Sequence, residues 1–160
     1  MTVLIISDTH GSLQNLNRII PKVQPDLIYH LGDGQGQEDT ISQMADCPVE
    51  IVKGNCDFMC DLPRDVFTTL GRHNIMLTHG HMYDVKYSTG ELALAALEND
   101  CDVVMYGHTH WPEIVQTDKV TIVNPGSISL PRQPGRSPSY IVCDVDKEGD
   151  LHFSLNYIER

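Results

Sequence analysis

Asp, Asn and His supply the oxygen and nitrogen donors that hold divalent first-row cations. Five short, separated segments carry them, each just after a strand-like apolar run. They are Asp8-Thr9-His10, Gly32-Asp33, Gly54-Asn55, Thr78-His79-Gly80-His81 and Gly107-His108-Thr109-His110. Taken singly they say little, because Gly-Asp and Gly-Asn are ordinary turn signals. Together they describe a set of ligands delivered from several strands to one place, which points to metal chemistry.

The elements that would deliver them follow from the apolar pattern. Thr2 to Ser7 predicts a buried strand by its β-branched run. Leu13, Leu16, Ile19 and Ile20 fall at helical spacing, with Ser12 as a candidate N-cap and an end near Pro21. Strands are expected at Asp26 to Leu31, Val49 to Val52, Ile75 to Thr78 and Val103 to Tyr106. A weaker helix covers Glu38 to Ala45. A clearer one covers Thr89 to Leu97, with Leu92, Ala95, Ala96 and Leu97 inward and Ser88 as its candidate cap. Beyond these, Ile114 to Gln116, Val120 to Val123, Tyr140 to Val145 and Leu151 to Tyr157 read as antiparallel strands joined by turns. Residues 131 to 138 read as a loop. Alternating β and α units followed by meandering strands imply a mixed α/β domain. In such sheets ligands bind beyond the carboxyl ends of the strands. Asp8, Asp33, Asn55, His79 and His108 all stand there.

At 160 residues the chain has the size of one domain, 1–160, able to bury a sizeable core. No apolar run approaches the roughly 20 residues of a membrane span. The first residues read as a strand and not as a signal peptide, so a cytoplasmic location is the default. The formal net charge of -11 would repel a phosphate backbone, and there is no basic cluster, which makes extended nucleic acid an unlikely partner. A small phosphate ester stays open. The five cysteines, an odd count without a paired Cys-x-x-Cys arrangement, argue against a disulfide framework. Cys47, Cys101 and Cys143 are expected to pack as small apolar side chains.

The order Asp-x-His, Gly-Asp, Gly-Asn, Gly-His, Gly-His-x-His resembles the calcineurin-like metallophosphoesterases. The later Asn124-Pro125-Gly126-Ser127 resembles that family's small phosphodiesterase branch. The resemblance implies an α/β fold of two mixed β-sheets packed as a sandwich and flanked by helices. It implies two divalent metal ions per chain, manganese first, with nickel, zinc or iron as alternatives. Asp8, His10, Asp33 and His110 match the ligands of one metal. Asn55, His79 and His108 match those of the other, with Asp33 bridging both. A bridging carboxylate can hold two cations against their repulsion, and two metals about 3.5–4 Å apart can clamp a phosphate and share a hydroxide. The implied activity is hydrolysis of a small phosphate ester by that hydroxide, with Asp33, Asn55, His79, Cys56 and Asp57 as the catalytic set.

One position departs from the pattern. Many family members carry His where this chain has Cys56, and that His is credited with assisting the leaving group. A thiol is a poorer hydrogen-bond donor, so diester or activated substrates are expected over alkyl monoesters. Asp57 is expected to support a ligand through hydrogen bonds. Arg132 and His81 are candidate substrate contacts, while His30, His73 and His152 read as ordinary strand or surface residues. Two other classes remain: a nuclease, and a non-catalytic protein scaffold of the same fold. The strand-rich last third offers a surface for a homo-oligomer.

Overall fold

In the computed structural model, which describes residues 1–159, two five-stranded sheets lie face to face. The first has the order β10-β9-β1-β2-β3 and the second β4-β5-β6-β8-β7. The elements are β1 (Thr2–Ile6), α1 (Gln14–Val23), β2 (Leu27–His30), α2 (Glu38–Met44), β3 (Val49–Ile51), β4 (Asp65–Leu70), β5 (His73–Thr78), α3 (Gly90–Glu98), β6 (Val103–Met105), β7 (Glu113–Gln116), β8 (Thr121–Asn124), β9 (Ser139–Val145) and β10 (Leu151–Tyr157). Among the described residues no helix is long and apolar enough to cross a membrane.

Side-chain alternation explains the layering. Along β1, Val3 and Ile5 join Tyr29, Ile75, Leu77, Met105, Val123 and Ile141 in the core between the sheets. Leu4 and Ile6 point the other way, into a layer with Leu16 and Ile19 of α1 and Ile41 of α2. In the second sheet, Met76, Val104 and Ile122 turn outward onto Leu92 and Ala96 of α3. A strand covered on both faces must be apolar at consecutive positions, and Val3 to Ile6 are all fully buried.

The chain direction places the candidate ligands. β1, β2 and β3 run parallel, as do β5, β6 and β8. Their carboxyl ends therefore open along one edge of the sandwich.

Several expectations need correction. Helix α1 runs through Pro21 to Val23. Pro21 lies in the last turn, and Gln24 closes the helix in a left-handed conformation with its N–H donating to the Ile20 carbonyl at 2.9 Å. Ser12 does not cap α1, whose N-cap position is Leu13 without a side-chain bond. Ser88 accepts from the Gly90 N–H at 3.4 Å, while Thr89 holds the N-cap position of α3. Leu97 is 39% exposed, because a short helix lying on a sheet buries only a narrow stripe, here centred on Leu92 and Ala96. β4 was not expected; Val66, Thr68 and Thr69 followed by Gly71 were its signal, and it pairs antiparallel with β5. The late strands do not form one antiparallel meander. β7 and β8 form a hairpin whose second strand joins β6 in parallel, whereas β9 crosses to the first sheet beside β1.

Candidate metal centre

The loops after β1, β2 and β6 turn sharply. Asp8, His10, Asp33, His108 and His110 all have positive φ, between 46° and 67°. This left-handed region is uncommon for residues with a Cβ and collects at functional sites. The turns are tied to one another. The Asp8 N–H donates to the Gly32 carbonyl at 3.0 Å, the His10 N–H to the Asp33 carbonyl at 2.9 Å, and the Gly107 N–H to the His79 carbonyl at 3.1 Å. Glycine is needed where the turns pack closest. A Cβ on Gly54 would stand 2.0 Å from Asp33 Oδ1, and one on Gly107 would stand 2.0 Å from Ser7 Oγ.

The side chains converge on two buried carboxylates. Asp8 Oδ1 lies 3.2 Å from His110 Nε2, 3.7 Å from His10 Nε2 and 3.9 Å from His79 Nε2. Asp33 Oδ2 lies 3.4 Å from His79 Nε2 and 3.8 Å from His10 Nε2. Asn55 Oδ1 lies 3.1 Å from His79 Nε2. Three overlapping groups have ligand atoms within 4.8 Å of one another: Asp8, His10 and His110; Asp8, Asp33 and His79; His10, Asp33 and Cys56.

The outer hydrogen bonds decide which way the lone pairs face. His79 Nδ1 is 2.6 Å from the Leu31 carbonyl, and His110 Nδ1 is 2.6 Å from the Leu130 carbonyl. A carbonyl only accepts, so each Nδ1 carries the proton and each Nε2 turns a lone pair inward. Asp8 Oδ1 is buried and has no hydrogen-bond partner. Carboxylate oxygens and imidazole lone pairs crowded at these distances need a positive charge between them. The donor set of carboxylate, imidazole and amide oxygen suits a divalent transition metal.

The electrostatics point the same way. Burial alone would raise the Asp8 pKa, but the neighbouring His10, His110 and His79 imidazoles hold it well below the ordinary carboxylate range. Asp33, raised by burial and lowered more by His79, is brought to about 2. Burial lowers the basicity of His79, yet Asp33 and Asp8 overcome it and draw a proton there. A cation held by these residues would answer the same field in place of that proton. Burial, the charge at His79 and then Lys86 lower His108 to about 4.

Not every expected residue joins the centre in the same way. The His108 ring packs 5.1 Å from that of His79, outside the three close groups. The His108 backbone N–H, not the ring, donates to Asp8 Oδ2 at 3.1 Å. His81 stands beside His79 and His108, with ring separations of 5.4 Å and 6.1 Å, and its buried Nδ1 has no partner. Cys56 donates its backbone N–H to Asp33 Oδ1 at 2.8 Å, while burial and Asp33 raise its thiol pKa. Asp57 acts through the backbone. It accepts three backbone N–H groups, from Asp33, Gln35 and Gly54. The Arg132 N–H donates to the His110 carbonyl at 3.1 Å, and its exposed side chain lines a groove beside that loop.

Sequence reasoning missed a supporting layer. Ser7 Oγ donates to Asp8 Oδ2 at 2.6 Å, and Ser127 Oγ donates to the Asp8 carbonyl at 2.8 Å. Asn124 Nδ2 donates to the Gly107 carbonyl at 3.1 Å and to Thr109 Oγ1 at 3.0 Å. His30, expected to be an ordinary residue, is fully buried behind the site. Its Nδ1 accepts the Gly32 N–H at 3.2 Å, so its Nε2 carries a proton toward Thr9 Oγ1, 3.1 Å away. The Asn-Pro-Gly-Ser segment was the available signal for two of these residues; for His30 the signal was only its place at the end of a strand.

Residues 1–148 match the family model of the calcineurin-like phosphoesterase superfamily domain. The chain belongs to this superfamily. It is thus a metal-dependent hydrolase of phosphoric ester bonds, the class its named relatives share. A probable metallophosphoesterase of Bacillus subtilis, YsnB, is 35% identical, with 92% of this chain and 86% of that protein covered. The phosphodiesterase YfcE of Escherichia coli is 29% identical, with 91% and 89% covered. A Streptococcus pneumoniae protein described as a predicted phosphoesterase superposes with a TM-score of 0.81 at 30% identity, covering 98% of this chain and 88% of the other. Vacuolar protein sorting 29 of Cryptosporidium parvum shares the fold, with a TM-score of 0.76 at 20% identity and coverage of 99% and 98%. The superfamily's fold accounts for the two mixed sheets packed as a sandwich.

Proposed function

We propose that residues 1–160 act as one phosphodiesterase domain holding two divalent metal ions, manganese first and nickel, zinc or iron as alternatives. The observation that carries this reading is the orphaned Asp8 Oδ1, buried and faced by the Nε2 atoms of His110 and His79 at 3.2 Å and 3.9 Å. Asp8, His10, Asp33 and His110 would hold one metal, and Asn55, His79 and His108 the other, with Asp33 shared. Bound there, such ions would polarise phosphoryl oxygens and ionise a water near neutral pH.

The chain's own groups do the rest. The Leu31 and Leu130 carbonyls lock the His79 and His110 rings with Nε2 inward. Asp57 holds the Asp33 and Gly54 turns in register. Cys56 stands within 4.8 Å of ligand atoms of His10 and Asp33, its thiol kept protonated by burial and by Asp33. A protonated thiol donates weakly, which favours diesters with a good leaving group over alkyl monoesters. The net charge of -11 favours a small substrate over extended nucleic acid. The convergence of donors favours catalysis over a purely structural scaffold.

The test is hydrolysis of an aryl phosphodiester and the matching monoester by metal-stripped protein, with manganese, nickel, zinc or magnesium returned singly. Turnover that needs metal and prefers the diester supports the reading. Absence of bound metal, with no turnover under any condition, would leave the scaffold as the better account. Asp33→Asn should remove hydrolysis while the protein stays folded; retained turnover would overturn the shared-carboxylate arrangement.

A further inference from the structure

A groove of about 620 Å³ opens beside the His108–His110 loop, lined by Lys86, Tyr87, Tyr106, Trp111, Glu113 and Arg132 among others. This volume is that of a small-molecule site. Two of its rings are open to solvent, Tyr87 at 90% and Trp111 at 51%. Large exposed aromatics beside a catalytic centre are costly to leave bare and suit a flat ligand. Two cations, Lys86 and Arg132, share this wall in a chain of net charge -11. Neither forms an ion pair among the described residues. The acidic lining residue, Glu113, is engaged by the hydroxyl of the buried Tyr106.

The groove is also built onto the metal centre. Trp111 directly follows His110, and its N–H donates to Thr109 Oγ1 at 3.2 Å. Thr109 Oγ1 in turn accepts from the buried Asn124 at 3.0 Å. Arg132 hangs on the His110 carbonyl through its own N–H. A ligand lying against Trp111 and between these cations would thus keep a fixed distance from the phosphorus held at the centre.

We propose that this groove binds the non-reacting part of the substrate, and that this part is a nucleoside-type group, a flat ring joined to an anionic phosphate. The base lies against Trp111 and Tyr87, and Lys86 and Arg132 take the anionic oxygens. This assignment rests on the phosphodiesterase reading and names its substrate class.

Trp111 is the one tryptophan in the chain, so its emission reports the groove without any turnover. Full-length, manganese-loaded protein is titrated with adenosine monophosphate and with ribose 5-phosphate. The nucleotide should quench the emission saturably and bind about tenfold tighter than the sugar phosphate, the order expected of one stacked base. Tyr87→Ala and Lys86→Ala, which both keep Trp111, should each weaken the nucleotide by about tenfold. Equal affinity for the two ligands, or nucleotide affinity untouched in both variants, overturns the assignment. A second measurement compares the para-nitrophenyl esters of thymidine 5′-phosphate and of methyl phosphate, which release the same phenolate. A KM about tenfold lower for the nucleoside ester supports the groove. Equal KM values overturn it and leave the phosphodiesterase reading standing. Failure to hydrolyse either ester overturns that reading, and the substrate assignment with it.

Discussion

The Asp57 carboxylate accepts the backbone N–H of Asp33 at 2.8 Å, 24 residues away in sequence. The same carboxylate accepts the N–H of Gly54 and of Gln35, each at 2.7 Å. Asp57 is 2% exposed. One buried side chain thus holds the turns after β2 and β3 together, and with them Asp33 and Asn55. Asp57→Asn keeps the size and exchanges one acceptor oxygen for an NH2 that must face a backbone N–H. It should weaken metal binding by about 10- to 100-fold and lower stability by about 1–3 kcal/mol. Calorimetric metal titration and a urea unfolding curve check both, and an unchanged metal affinity would remove Asp57 from the site's support.

Gly54→Ala should be more damaging than a surface glycine change. Its Cβ would meet Asp33 Oδ1 at 2.0 Å and the Asp33 backbone nitrogen at 2.4 Å. Gly36→Ala is the control, since it has positive φ but nothing within 4 Å. The control should cost about 1–2 kcal/mol of backbone strain. Gly54→Ala should cost more than that and should lose metal, as seen by metal analysis of the purified variant.

His30 predicts a pH dependence of stability. Burial lowers its pKa from 6.5 to about 4. Between those values the unfolded chain binds a proton that the folded chain refuses. The contribution of His30 is therefore complete above about pH 6.5 and is lost as pH falls toward 4, by up to about 3 kcal/mol. The stability difference between wild type and His30→Gln, measured in urea, should shrink across that window on acidification. A constant difference would place His30 in contact with solvent or with a partner for its charged form.

Cys56 should set the preference between ester types. Cys56→His restores a stronger proton donor next to Asp33. Monoester hydrolysis should rise relative to diester hydrolysis by about tenfold or more, within the range of general acid catalysis. A ratio that does not move would mean that the residue at 56 does not reach the leaving group.

The order of the five segments that carry Asp8, His10, Asp33, Asn55, His79, His108 and His110 was legible because each segment begins just after an apolar run, and strands so marked deliver their ends to one edge. Period and burial also told β1, β2 and α3 apart locally. What stayed hidden was nonlocal. β4 is half-exposed along most of its length, so its pattern is weak until β5 pairs with it. β9 joins β1 and not β8, a choice that rests on which sheet has an open edge. The same holds at the site: residue types alone allow the metal, but only packing sets Asp8 Oδ1 without a partner, turns the Nε2 atoms of His79 and His110 inward through two backbone carbonyls, and gives Asp57 three N–H groups to hold. Ligand identity is written in side-chain chemistry and so can be read along the chain. Ligand orientation is set by hydrogen bonds between turns tens of residues apart, and these exist only once the two sheets have closed on each other.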